Sequence, residues 1–385
     1  MKARVSCMLL YLGFFLGEAL LAAEIPESVK STLPPPAITA KTWILMDHNT
    51  GWVLASKDAD TQVETASLSK VMTTYVVFKA IQNGNVKLDD LAHISKKAWR
   101  TGGSRMFIEV DTKVSVKDLL KGVIVQSGND ASVALAEHVA GSEDAFAARM
   151  NEYANKLGMI NSRFANADGL PNPDHYSSAH DLAIVTAAVI REFPELYKWY
   201  SQREFTYNNI TQHNRNLLLN RDPTADGVKT GYTKAAGYGL IGSAVRDGMR
   251  LTAVVTGTAG RTSRAKETQA LLNYGFSSYQ SLKLADGGIP LTQIKVYKGD
   301  RKQVGIGVFE PLYFIAPRNN KIQIKTRINA PSWIVAPVSA GNKLASLDVM
   351  LGDQRLMQYP LWAIHPVGEG AWWEQALDSV LLWFE

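Results

Sequence analysis

Cysteine is almost absent from this 385-residue sequence: the single one, Cys7, lies in an apolar stretch at the N-terminus. That excludes a disulfide framework and a thiolate metal site, and leaves the fold to rest on the size of its core. Charge is sparse and evenly spread, with 20% Asp, Glu, Lys and Arg and a net charge of +5. No Lys/Arg run is long enough to track a phosphate backbone, and no ribonucleoprotein or helix-turn-helix signature occurs, so nucleic acid is not an expected partner. Low-complexity segments are missing too, which excludes a disordered chain. The seven histidines, His48, His93, His138, His175, His180, His213 and His365, lack metal-ligand spacing such as H-x-x-x-H. They read as structural or surface residues, and no metal or organic cofactor is implied.

Long apolar runs are confined to the start. MKARVSCMLLYLGFFLGEALLAAEIP has a short basic head, an apolar run from Val5 to Gly17, and small residues at Ala22 and Ala23. This is the pattern of a secretory signal, assigned to residues 1–23. Glu18 interrupts the run too early for a retained span of about 20 residues. Cleavage would remove Cys7 as well and leave an exported chain with no cysteine.

With 46% hydrophobic residues, the chain can bury a large core and leave material for a second domain. From Lys41 to Ser56, two apolar runs flank Asp47-His48-Asn49-Thr50-Gly51, the mark of a hairpin that begins a sheet. In SLSKVMTTYVVFKAIQNG, Val71, Met72, Tyr75, Val76 and Lys79 recur at helical spacing until Asn83-Gly84 stops the helix. Residues 115–200 hold further helices, each closed by a glycine. Strand character returns over 226–258, followed by a helix from Arg264 to Tyr274. After Asp286-Gly287-Gly288 helical periodicity stops, so 24–285 and 286–363 read as two domains, the second small and all-β. In the tail, 364–385, Trp373, Ala376, Leu377, Val380, Leu381 and Phe384 share a helical face, with Glu374, Gln375 and Asp378 elsewhere. Too short to span a bilayer, it reads as an amphipathic helix on a membrane surface, with a helix docked on the protein's own core as the alternative.

Three short motifs stand in a fixed order: Ser67-Leu68-Ser69-Lys70, Ser127-Gly128-Asn129 and Lys229-Thr230-Gly231. At a helix start, residues three apart share a face, so Ser67 Oγ and Lys70 Nζ come within hydrogen-bond reach. Lys70 can take the serine proton if burial and a second cation disfavour its ammonium, and Lys229 is the candidate for that cation. Ser67 at the helix N-terminus also offers its N–H to an oxyanion, with Tyr232 N–H as the second donor. Ser127 can pass a proton to the leaving amine, and Asn129 can hold a substrate amide. On a strand, alternation puts Lys229 and Gly231 on one face, where glycine leaves room for a substrate backbone. A lone S-x-x-K means little, since Ser263-Arg264-Ala265-Lys266 is a second copy without partners. The ordered trio is specific.

With TASLSKVMT, LLKGVIVQSGNDASVALAE, DGVKTGYT and ETQALLNYGF around these motifs, the sequence resembles the low-molecular-mass penicillin-binding proteins that act as D-alanyl-D-alanine carboxypeptidases. The resemblance covers nearly the whole chain. It implies an α/β (α+β) transpeptidase-like domain, an antiparallel sheet with a helical cluster, then a small all-β sandwich. It implies Ser67 as acylated nucleophile, Lys70 as base, and Ser127, Gly128 and Asn129 facing a wall of Lys229, Thr230, Gly231 and Tyr232. Arg264 matches an arginine that helps hold the substrate's terminal carboxylate, and Arg215, in HNRN, resembles another cleft arginine. The partners implied are peptidoglycan stem peptides ending in D-Ala-D-Ala, β-lactams, and the periplasmic face of the inner membrane.

The sequence departs from the pattern at three places. The loop Ala98–Phe107 is shorter than in some members, Tyr232 stands where many carry histidine, and the tail carries only acidic charges where relatives often have basic ones. Two other enzymes share the nucleophile. A serine β-lactamase needs a deacylating glutamate, and the nearest look-alike, Glu204, sits in a strand-like stretch shortly before Lys229. A cell-wall endopeptidase would cut cross-links with the same serine, although many dedicated ones lack the β domain and tail. A catalytically silent scaffold conflicts with the intact trio.

Overall fold

Thr42–Asp47 and Val53–Lys57 form the expected hairpin in a computed structural model that describes residues 25–318 and 324–384. Residues 1–23, expected to be a secretory signal, and Cys7 among them lie outside the described residues. Asp47 closes the turn by accepting from Thr50 N and Oγ1, both at 2.8 Å. The hairpin is one edge of a five-stranded antiparallel sheet in the order Val53–Lys57, Thr42–Asp47, Met249–Thr258, Gly237–Arg246, Ala225–Thr233. The strand carrying Lys229 is therefore the other edge of the sheet.

Strand alternation sorts the sheet's side chains into two cores. Ile44, Met46, Val228, Ile241 and Val254 face the helical cluster. Trp43, Leu45, Leu240, Leu251 and Val255 face the helix Arg261–Ser278 through Leu271, Leu272 and Phe276. At the centre of the cluster runs the helix Lys70–Gln82, whose residues from Lys70 to Phe78 are all buried. A helix apolar on every side is stable only inside others, and here Asn129–Ala140, Glu143–Leu157 and Ala179–Glu192 pack around it. Serine caps at Ser142 and Ser178 start two of these, and left-handed glycines at Gly141 and Gly158 end two.

The second unit is all β. A six-stranded sheet runs in the order Ile324–Asn329, Lys343–Leu351, Gln354–Ala363, Gln303–Gly307, Pro290–Tyr297, Trp333–Val335. Beside it, Tyr279–Ala285 pairs with Leu312–Pro317. The unit thus begins at Tyr279, not at 286: Asp286-Gly287-Gly288 punctuates two strands of one domain rather than dividing two domains. Its Phe314 packs edge-on to Trp52, just before the strand Val53–Lys57, ring centroids 5.2 Å apart. The tail helix covers Trp372–Leu381. Among the described residues no helix is long and apolar enough to cross a membrane.

Candidate active site

The chain enters the central helix through a 3₁₀ turn, Ala66–Ser69, that presents Ser67 at its start. Ala66 sits at a positive φ of 48°, and its carbonyl lies so close to Gly169 that a Cβ there would overlap it. Lys70, one turn on, is fully buried with its Nζ 2.9 Å from Ser67 Oγ. The same nitrogen donates to Asn129 Oδ1 at 2.7 Å and to the Asp168 carbonyl. Burial pushes the Lys70 amine down to about 8, with Arg215 acting in the same direction and Asp168 and Asp130 opposing it.

The second motif follows a single π-helical turn, Gly122–Gln126, of the kind that marks functional sites. That turn delivers Ser127 in a left-handed conformation, φ 67° and ψ 34°, an unfavourable one for serine. Lys229 Nζ donates to Ser127 Oγ at 2.8 Å and to the Thr230 carbonyl at 3.0 Å. Burial, then the charges of Lys70, Arg215 and Arg264, hold the Lys229 amine well below its ordinary value. Gly128 is pressed between Asp130 and Met106, leaving a Cβ only 2.9 Å from Asp130 Oδ1. The Asp130 carboxylate accepts from Met106 N and Phe107 N, at 2.8 and 2.9 Å, which pins the Ala98–Phe107 loop to the motif.

Gly231 looks at the turn that carries Ser67: a Cβ would stand 2.9 Å from the Thr65 carbonyl and 3.0 Å from Leu68. Ser67, Ser127, Thr230, Gly231, Tyr232, Arg215 and Arg264 border one cleft of about 230 Å³. Arg264 is buried, donates to the Gly231 carbonyl at 3.0 Å, and is lowered to about 10 by burial and by Arg261. Arg215 reaches Ser104 Oγ at 2.5 Å across the mouth. All eleven residues expected from the sequence meet here, with Lys70 and Asn129 behind Ser67 and Gly128 behind Ser127. The second S-x-x-K does not, since its Lys266 is exposed on the helix Arg261–Ser278. Glu204, the β-lactamase look-alike, lies on a hairpin outside the cleft, 3.4 Å from His213.

Residues 29–260 match the family described as D-alanyl-D-alanine carboxypeptidase, and 279–369 match the penicillin-binding protein 5 C-terminal domain. The chain belongs to the D-alanyl-D-alanine carboxypeptidase family. It is 38% identical over 362 residues to the D-alanyl-D-alanine carboxypeptidase DacA of Haemophilus influenzae, covering 92% of each chain. To DacC of Escherichia coli it is 37% identical, over 97% of this chain and 96% of that one. The crystal structure of penicillin binding protein 5 from Haemophilus influenzae superposes with a TM-score of 0.81 at 39% identity, covering 88% of this chain and 100% of that chain. In this serine carboxypeptidase, some contributors to the site were not evident in the sequence, Gly103 at the cleft border among them. Asp168 acts through its backbone, which side-chain motifs cannot flag. Ser104 and Tyr238 sit in ordinary loop and strand contexts. Arg261 alone left a signal, because it shares a helix face with Arg264 three residues on.

Proposed function

We propose that this carboxypeptidase removes the terminal D-alanine of peptidoglycan stem peptides by acylating Ser67, with Lys70 as the base. One observation carries the assignment: both N–H bonds of a neutral Lys70 amine have acceptors in Asn129 Oδ1 and the Asp168 carbonyl. The lone pair is then left for the third neighbour, Ser67 Oγ–H at 2.9 Å. Lys70 takes the hydroxyl proton as Oγ attacks the carbonyl between the two D-alanines, and the N–H groups of Ser67 and Tyr232 hold the oxyanion. Ser127, bonded to Lys229, relays a proton to the leaving amine. Arg264 and Arg215 bind the departing carboxylate beside Thr230, and water then releases the acyl group. A β-lactam amide meets the same attack, but its leaving amine stays tethered and blocks the water. Replacing Ser67 by Ala should abolish both D-alanine release from a D-Ala-D-Ala peptide and labelling by a fluorescent penicillin. Equal D-alanine release by both proteins would overturn the assignment.

We further propose that the enzyme works at the outer face of the cytoplasmic membrane, exported by residues 1–23 and held by its tail. The tail helix turns its acidic side to the protein: Asp378 is buried and accepts from Lys298 N, and Lys302 Nζ lies 3.6 Å away. Trp372, Trp373, Leu377, Val380, Leu381, Trp383 and Phe384 point outward, Trp383 with 90% of its surface exposed. A surface helix in water normally buries its apolar stripe; one facing outward fits an interface with lipid.

A further inference from the structure

His175 takes no part in the chemistry above, yet it is buried and touches two walls of the site. Its Nδ1 lies 3.2 Å from Ala165 N, a donor, so Nδ1 is the acceptor and the ring proton sits on Nε2. Nε2–H therefore donates to Ser69 Oγ at 2.7 Å. Ser69 Oγ–H, its lone pair engaged, donates onward to Thr65 Oγ1 at 2.6 Å. Thr65 and Ser69 bracket the turn that presents Ser67, and the Thr65 carbonyl accepts from Leu68 N at 3.0 Å. On the other side, Ala165 stands three residues before Asp168, whose carbonyl accepts from Lys70. The Phe164 ring meets the imidazole edge-on, centroids 5.6 Å apart, fixing its plane.

We propose that His175 is a positioning residue for acylation: through Ser69 and Ala165 it holds the Ser67 turn and the Asp168 carbonyl at one fixed separation, with Lys70 between them. Two of the three partners of Lys70 Nζ are indexed through this one ring. The role asks for one donor and one acceptor set rigidly apart, which an apolar filler of equal size cannot supply. Burial and the Lys70 charge lower the imidazole to about 4, so the required neutral tautomer persists wherever Lys70 works as a base.

The inference rests on Ser67 being the nucleophile, and the full chain with a fluorescent penicillin tests both. His175→Leu and Ser69→Ala should slow acylation at saturating penicillin by between about tenfold and a hundredfold, as small misplacements of reacting groups do. The half-saturating concentration should stay within about twofold, and label should still reach one per chain. His175→Gln, which keeps a donor and an acceptor, should remain within about threefold of wild type. In the Leu variant the acid limb of the rate profile should move up by about one unit, because a loosened turn lets water reach Lys70. Generalised destabilisation would lower the labelled fraction without moving that limb. If the Leu variant does not fold, Ser69→Ala, which loses one hydroxyl, decides. Wild-type rates in Ser69→Ala, or a Gln variant as slow as Leu, would overturn the inference alone. A wild-type protein that takes no label would remove the Ser67 assignment and this inference together.

Discussion

The proposed role of Lys70 as the base rests on what surrounds its amine rather than on the motif that names it. An amine at the ordinary 10.5 would be almost wholly protonated near neutral pH; at about 8 a usable fraction is free. The working form is the neutral one, so raising the pH through about 8 should raise the acylation rate to a plateau, falling about tenfold per unit below it. Stopped-flow labelling with a penicillin across that range would show the limb, and a rate flat through it would exclude Lys70 as the base. Lys70→Arg keeps charge and length but installs a cation that stays protonated. Labelling should then fall by at least about a thousandfold, while a variant close to wild type would contradict proton transfer to this position. At this scale the sequence was informative wherever side chains do the work. Spacing and order alone single out Ser67, Lys70, Ser127, Asn129 and Lys229, which the fold brings together. Arg264 emerged only through family resemblance, since nothing in its local context separates a cleft arginine from a surface one. The Asp168 carbonyl was invisible, because any residue carries that group.

Two elements owe their shape to backbone conformations that only particular residues tolerate. The loop after Phe164 passes under the Ser67 turn at Gly169, where φ is +78° and the Ala66 carbonyl fills the space of a Cβ. Gly169→Ala adds strain at a left-handed position and pushes on the residue preceding Ser67. It should cost about 1 to 3 kcal/mol in chemical unfolding and slow penicillin labelling of the folded fraction. Gly141 also has a positive φ, 80°, yet among the described residues nothing stands near its missing Cβ, so Gly141→Ala should lose stability without altering the labelling rate. Equal labelling rates in the two variants would show that the Gly169 contact does not shape the turn. Helix periodicity revealed the central helix well, since its apolar residues are dense and its stop signal strong. The boundary at 286 misled for a physical reason. The helix Arg261–Ser278 runs directly into the strand Tyr279–Ala285 with no intervening turn residue, so the loudest punctuation nearby, Asp286-Gly287-Gly288, belongs to the β unit itself.

For the whole molecule the deciding feature is the orientation of the tail. If the amphipathic helix served the protein's own core, its aromatic side would be inside and Asp378 in water; the arrangement is the reverse. Glu374 caps the helix start by accepting from Ala371 N at 2.9 Å, and Gly370 N donates to the Lys298 carbonyl at 2.8 Å, so the tail is fastened to the β unit along its polar side. The exposed aromatic and aliphatic side chains then form a fixed apolar ledge. Transfer of a large apolar side chain from water is worth roughly 2 kcal/mol, and several act together here. From Glu369 to Glu385 the tail has no Lys or Arg, so the contribution of about 1 kcal/mol per basic residue near anionic lipid is missing. Binding to vesicles should accordingly be the same for zwitterionic and anionic lipid, and should persist from about 0.05 M to about 1 M salt, where surface electrostatics is screened within about 3 Å. Detergent should release the protein. Replacing Trp372, Trp373, Trp383 and Phe384 together by serine should abolish flotation with vesicles and leave soluble D-alanine release intact, because none of the four borders the cleft. Release by salt alone, or a variant that still floats, would mean that the apolar ledge has some other occupant.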